Sequence, residues 1–150
     1  MNDEFWMQKA LELADTAEAS GEAPVGCLLV RDGEMIGSGF NQTIKDHDPS
    51  AHAEIVAMRA AGKGEQNYRL PGTTLYVTLE PCTMCLGAMV HGRIERLVYG
   101  ASDPKTGAAG GKVNLLDSPA HNHRMVVQGG VLGEECSSAL KAFFQRKRKS

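Results

Sequence analysis

Thr73-Thr74-Leu75-Tyr76-Val77-Thr78-Leu79-Glu80-Pro81-Cys82-Thr83-Met84-Cys85 joins a strand to a helix, and the rest of the chain is organised around that junction. Residues 73–79 form an uncharged, β-branched run, which predicts a core strand. A helix follows from Thr83 to about His91, so Cys82 and Cys85 share one face at its N-terminus. Aligned peptide dipoles there favour the thiolate form. Earlier, Asp48-Pro49-Ser50 supplies proline and cap residues for a second helix, running to about Ala61, that opens with His52-Ala53-Glu54. Both chemically loaded segments therefore begin helices.

Working outward, Asp3 can cap a helix in which Trp6, Ala10, Leu13, Ala14 and Ala17 recur at the helical period, ending near Ser20-Gly21. Val25 to Val30 and Met35 to Phe40 flank Asp32-Gly33, hairpin chemistry that predicts two antiparallel strands. Gly26, Gly37 and Gly39 within them signal bulges or close backbone approach, and near a pocket could make room for a ligand. Ile94 to Tyr99 and Met125 to Gln128 are two more strand candidates, and a last helix runs from about Gly133 to Lys147. Between them, residues 101–120 are polar and glycine-rich with little periodicity, a length that is usually functional or disordered. This order predicts an α/β fold, a three-layer α/β/α sandwich with a mixed five-stranded sheet, as one domain over residues 1–150.

Composition agrees with one ordinary globular domain: 150 residues, 42% hydrophobic and 23% charged. Four cysteines, two with metal-ligand spacing, suit a reduced interior more than a disulfide framework. The acidic start Met1-Asn2-Asp3-Glu4 is unlike a secretory signal, and no apolar stretch approaches the ~20 residues that span a bilayer. The expectation is a soluble, cytoplasmic protein without a membrane partner. The net charge of -2 hides an asymmetry, because Lys141, Arg146, Lys147, Arg148 and Lys149 crowd the end of the chain without an acid. Such a tail is either a solvated helix end suited to the helix dipole or a phosphate contact.

One imidazole, His52, and two thiolates, Cys82 and Cys85, can fill three positions of a tetrahedral zinc and leave the fourth to water. Glu54, two residues after His52, then faces the open position as a proton carrier and must not itself be a ligand. His-x-Glu alone is weak evidence and Cys-x-x-Cys after proline is rarer; the joint pattern is the signal. Alternatives stay open on the residues alone. The cysteine pair could serve a structural zinc, with Cys27, Cys136, His121 or His123 as fourth ligand, or a redox couple. Cys27 and Cys136 read more simply as buried small residues.

These motifs resemble the cytidine and deoxycytidylate deaminase superfamily. Glu22-Ala23-Pro24-Val25-Gly26, Asn41, Asp46-His47-Asp48-Pro49, Leu79-Glu80-Pro81-Cys82 and Asp103-Pro104-Lys105-Thr106-Gly107-Ala108-Ala109-Gly110 are similar to its bacterial tRNA adenosine deaminase branch. The likeness covers nearly the whole chain, with Cys27 departing from the usual alanine. It implies a cytidine deaminase-like fold, one Zn2+ per subunit, a homodimer, and conversion of adenosine to inosine at the wobble position of a tRNA anticodon loop. Carried over, His52, Cys82 and Cys85 are the metal ligands and Glu54 is the catalytic acid-base. Asn41, Ala53 and Asp103 are substrate contacts, and Lys105, Asn122, His123 and Phe144 fall in regions that touch RNA. The target base must leave its stack, which is easiest in a single-stranded loop.

Each contact also has a plainer reading. Asn41 suits a turn, Asp103 a loop cap, and Phe143 or Phe144 a core anchor. The competing functions are a zinc deaminase of a free base or nucleoside, guanine or cytosine in type, and a non-enzymatic zinc-stabilised binding module. The basic end, the 101–120 loop and the extent of the resemblance favour RNA, since a free-base enzyme needs no phosphate contacts.

Overall fold

The structure, a computed structural model, describes residues 1–149. Its elements are α1 (Asp3–Ala19), β1 (Gly26–Arg31), β2 (Glu34–Phe40), α2 (Ala53–Glu65), β3 (Thr74–Leu79), α3 (Thr83–His91), β4 (Arg96–Ala101), β5 (Val126–Gln128) and α4 (Gly133–Lys149). The strands form one mixed sheet in the order β2-β1-β3-β4-β5, with β1 antiparallel to both neighbours and β3, β4 and β5 mutually parallel. At the β1–β2 hairpin, Asp32 and Gly33 both take positive φ, 51° and 77°. Two such residues turn the chain with the twist its strands require.

Helices cover both faces, which is why the central strands read as apolar runs without clean alternation. On one face, Cys27, Leu29, Leu75, Val77 and Leu97 pack with Ala53, Ala57 and Ala61 of α2 and with Cys85, Leu86 and Met89 of α3. On the other, Leu28, Tyr76 and Val98 meet Trp6, Met7 and Ala10 of α1 and Cys136 of α4. Every side chain named in the first set is fully buried.

Several boundaries differ from the expectations, each for a local reason. Asn2, not Asp3, caps α1: the Phe5 N–H donates to Asn2 Oδ1 at 2.9 Å, while Asp3 turns to Arg96 and Tyr76. The second helix runs past Ala61 to Glu65 and stops where Gln66 adopts the left-handed conformation, φ 54°. The fourth strand begins at Arg96, two residues later than expected, because the Ile94 N–H still donates to Met89 O and closes the end of α3. The strand glycines make room for helices and not for a ligand. A Cβ at Gly26 would stand 2.0 Å from the Ala10 carbonyl oxygen, and one at Gly39 would stand 2.8 Å from the Ala57 nitrogen. The 101–120 segment is irregular yet tied down, with Ala108 N–H donating to Pro81 O and Leu115 N–H to Ala108 O.

Candidate active site

Two helix starts converge at the C-terminal end of β3. His52 is the N-cap residue of α2 and Cys82 that of α3, each in extended backbone geometry with no side-chain capping bond, so both side chains remain available. Cys85 lies within the first turn of α3 and is fully buried. His52 Nδ1 is 3.6 Å from Cys82 Sγ and 3.5 Å from Cys85 Sγ. A tetrahedral zinc, with bonds of about 2.3 Å to sulfur and about 2.0–2.1 Å to nitrogen, requires an N···S separation of about 3.6 Å. The donor set fits zinc in chemistry and in spacing. Among the described residues no fourth Cys, His, Asp or Glu joins this group. Cys27, Cys136, His121 and His123 therefore do not complete a closed structural site, and the three-donor set matches an open, catalytic one.

The electrostatics divide the cluster into complementary roles. A hydrogen bond from Cys85, with help from His52, holds the Cys82 thiol down at about 4. Cys85, the donor in that bond and deeply buried, is pushed far up. His52 is raised, first by its hydrogen bond to Cys82. Glu54, on the first turn of α2, is 4% exposed, and burial pushes its carboxyl up to about 7. A carboxyl titrating near neutrality can both take and return a proton.

A pocket of about 140 Å³ opens over these groups, lined by Asn41, His52, Ala53, Glu54, Glu80, Cys82, Asp103 and Thr106, among others. It gathers three of the expected substrate contacts, Asn41, Ala53 and Asp103. Lys105, Asn122, His123 and Phe144 are outside its lining. The Lys105 backbone N–H donates to Asp103 Oδ1, and His123 Nε2 stands 2.7 Å from the Ile94 carbonyl oxygen. Phe143 anchors α4 in the core, while Phe144 is half exposed and meets it edge to face. Asp103 is a loop cap as well as a pocket residue, since it accepts from Thr106 Oγ1 at 2.8 Å.

Two buried carboxylates that the sequence reading passed over support the pocket, Glu80 within its lining and Glu22 outside it. Glu22 accepts from the backbone N–H groups of Ile44 and Lys45, just beyond Asn41. Glu80 accepts from those of Asp103, Ala109 and Gly111. The available signal for Glu80 was an acid closing a core strand, where burial demands partners. For Glu22, whose partners lie more than twenty residues away, no local pattern marks the role. A larger apolar groove, about 730 Å³ and lined by Ile55, Met58, Tyr68 and His91 among others, lies between α2 and α3 and shares no residue with the pocket.

The family described as cytidine and deoxycytidylate deaminase zinc-binding region matches residues 1–101. A tRNA-specific adenosine deaminase of Haemophilus influenzae is 58% identical over 147 residues, covering 97% of this chain and 85% of that one. One of Bacillus subtilis is 46% identical, covering 98% and 91%. A solved structure from work on A-to-I editing by tRNA:A34 deaminases superposes with a TM-score of 0.85 at 42% identity, covering 89% of this chain and 97% of that one. A guanine deaminase from Nitrosomonas europaea reaches 0.81 at 24% identity, covering 93% and 83%, and shares the fold.

Proposed function

This chain belongs to the cytidine and deoxycytidylate deaminase family, and we propose that it hydrolyses adenosine to inosine at the wobble position of a tRNA anticodon. The observation that carries the reaction class is the three-donor group of His52, Cys82 and Cys85 beside buried Glu54. The choice of substrate is supported by the identity with two proteins named tRNA-specific adenosine deaminase, and the wobble position by the likeness to the tRNA:A34 deaminase structure.

Zinc on His52, Cys82 and Cys85, when bound, supplies the positive charge that makes a water nucleophilic near neutral pH. Glu54 takes one proton from the attacking water and gives it to the ring nitrogen next to the attacked carbon. It then takes the second from the hydroxyl newly attached to that carbon and gives it to the departing amine, so that water and adenosine become inosine and ammonia. Burial keeps Glu54 near the pKa that this two-way traffic needs. Asn41 and the backbone at Ala53 orient the base, and Asp103 with Thr106 completes the pocket lining. Lys105, Asn122, His123, Phe144 and the basic end of α4 contact the RNA around the target. Their positions outside the pocket suit backbone and neighbouring-base contacts, which position the loop more than they read it.

In the same reading residues 1–150 are one domain, since both cores are built on a single sheet. The enzyme works in the cytoplasm as a homodimer, and the apolar groove between α2 and α3, with Tyr68 exposed at it, is a face that a second copy would bury. No helix among the described residues is long and apolar enough to cross a membrane. Incubating zinc-loaded protein with an anticodon stem-loop RNA and analysing the nucleosides by mass spectrometry tests the reading. Inosine is the expected product; deamination confined to free guanine, cytosine or nucleosides overturns it.

A further inference from the structure

We propose that Glu80 is a positioning residue for the deamination site: its carboxylate is the mould on which the Asp103 loop is cast, and it thereby sets the part of the pocket wall that Asp103 and Thr106 form. The inference rests on the deaminase reading for its kinetic consequence, though not for its structural one.

Glu80 directly follows β3, two residues before Cys82, and is 2% exposed. No Lys or Arg pairs with it among the ion pairs of the described residues. Its charge is met instead by backbone: Oε1 accepts from Asp103 N–H at 2.9 Å, and Oε2 from Ala109 and Gly111 N–H, both at 2.8 Å. Three N–H groups converging on a buried carboxylate satisfy it as an ion and fix the intervening chain in one path. The wrap is tight enough to select the loop's residues. A Cβ at Gly107 would stand 2.4 Å from the Glu80 carboxyl carbon, and one at Gly111 would stand 2.5 Å from Oε1. Ala108 N–H adds a fourth tie, to Pro81 O at 2.8 Å.

What the loop carries gives the cradle its purpose. Asp103 and Thr106 line the pocket together with Glu80, Asn41 and Glu54. Asp103 is locked from within the loop by Thr106 Oγ1 and by the N–H groups of Lys105 and Thr106. Cys82 lies two residues after Glu80 in the link between β3 and α3, so one short segment indexes both a metal ligand and the Asp103 loop. A misplacement of about 1 Å at such a wall can cost ~10²-fold in rate.

Glu80→Gln is the test, because it keeps the shape and removes one of two acceptor oxygens that are both in use. We expect one zinc per chain to be retained, faster hydrogen exchange at Asp103, Ala109 and Gly111, and kcat/KM on the stem-loop lowered by about 10–100-fold. Combined with Asp103→Ala, the double variant should lose no more than the worse single variant, since Glu80 acts through the loop; a purely structural role gives additive losses. If Glu80→Gln does not fold, Gly107→Ala, whose Cβ would meet the Glu80 carboxyl carbon first, pushes the loop off the intact carboxylate and should give the same pattern. Unchanged exchange at the three amides, unchanged kcat/KM, or additive losses in the double variant overturn the proposal. If the wild type makes no inosine, the substrate reading fails on its own, while the exchange experiment still judges the cradle.

Discussion

His52 Nδ1 and Cys85 Sγ stand 3.5 Å apart although 33 positions separate them and they belong to different helices. Only the packing of α2 and α3 against the same face of the sheet brings them together. Cys85→Ser removes a soft ligand from this triangle, so zinc affinity should fall by more than the ~10–100-fold typical of losing an outer-shell partner. Because the Cys85 proton must leave when metal binds, wild-type affinity should rise with pH. Competition titration against a chelator at several pH values measures both; pH-independent affinity contradicts the assignment of Cys85 as a ligand.

Glu54→Ala should leave one zinc per chain and lower turnover by ~10²–10⁴-fold, the usual contribution of a positioned acid-base group. Metal content by atomic emission, alongside single-turnover kinetics, separates this from a ligand's loss. A variant that keeps near-normal turnover would remove Glu54 from the mechanism.

Arg96 grips the Asp3 carboxylate with two nitrogens, at 2.8 and 2.6 Å, and holds its pKa below the ordinary value. A depressed folded-state pKa contributes stability above the unfolded value of about 4, and that contribution is lost as pH falls through the folded pKa. Asp3→Asn should therefore cost about 1 kcal/mol at neutral pH, a figure that allows for solvent screening of this partly exposed pair. In urea unfolding the difference from wild type should shrink towards zero in acid; a constant difference across pH would assign the effect to packing.

Gly26→Ala would drive a Cβ into the backbone of α1, 2.0 Å from the Ala10 carbonyl oxygen. Neither backbone can yield without moving the helix, so the expected loss is about 3 kcal/mol. Gly21→Ala makes a useful contrast, since there the space is open and only its φ of +85° opposes a side chain. Equal stability of Gly26→Ala and wild type in urea would show that α1 can shift at no cost.

The last turn of α4 carries Arg146, Lys147, Arg148 and Lys149, of which Arg146 is paired with Glu18. Replacing Lys147, Arg148 and Lys149 by Gln should weaken stem-loop binding and flatten its salt dependence by about 0.7 in slope for each phosphate no longer neutralised. Fluorescence anisotropy across a salt series reads this directly. An unaltered slope would leave these cations to the helix dipole.

Much of the site was legible because its chemistry is local. His52 and Glu54 are two residues apart, Cys82 and Cys85 three, and both pairs sit at helix starts that proline and cap residues announce. The helix boundaries near Glu65 and the cap at Asn2 were harder, because a left-handed Gln66 and the pull of Arg96 on Asp3 are decided by neighbours distant in the chain. The strand glycines were legible as close approaches, but whether helix or ligand came close was a question of packing.

The sequence by itself determined the donor types, their spacing and the alternation of helix and strand, since these follow from side-chain chemistry and short-range periodicity. Only the tertiary structure decided that three donors and no fourth converge among the described residues, that burial lifts Glu54 to about 7, and that Glu80 holds the Asp103 loop by its backbone. Desolvation and backbone hydrogen bonds depend on which surfaces meet across the sheet. No residue carries that information in its own name.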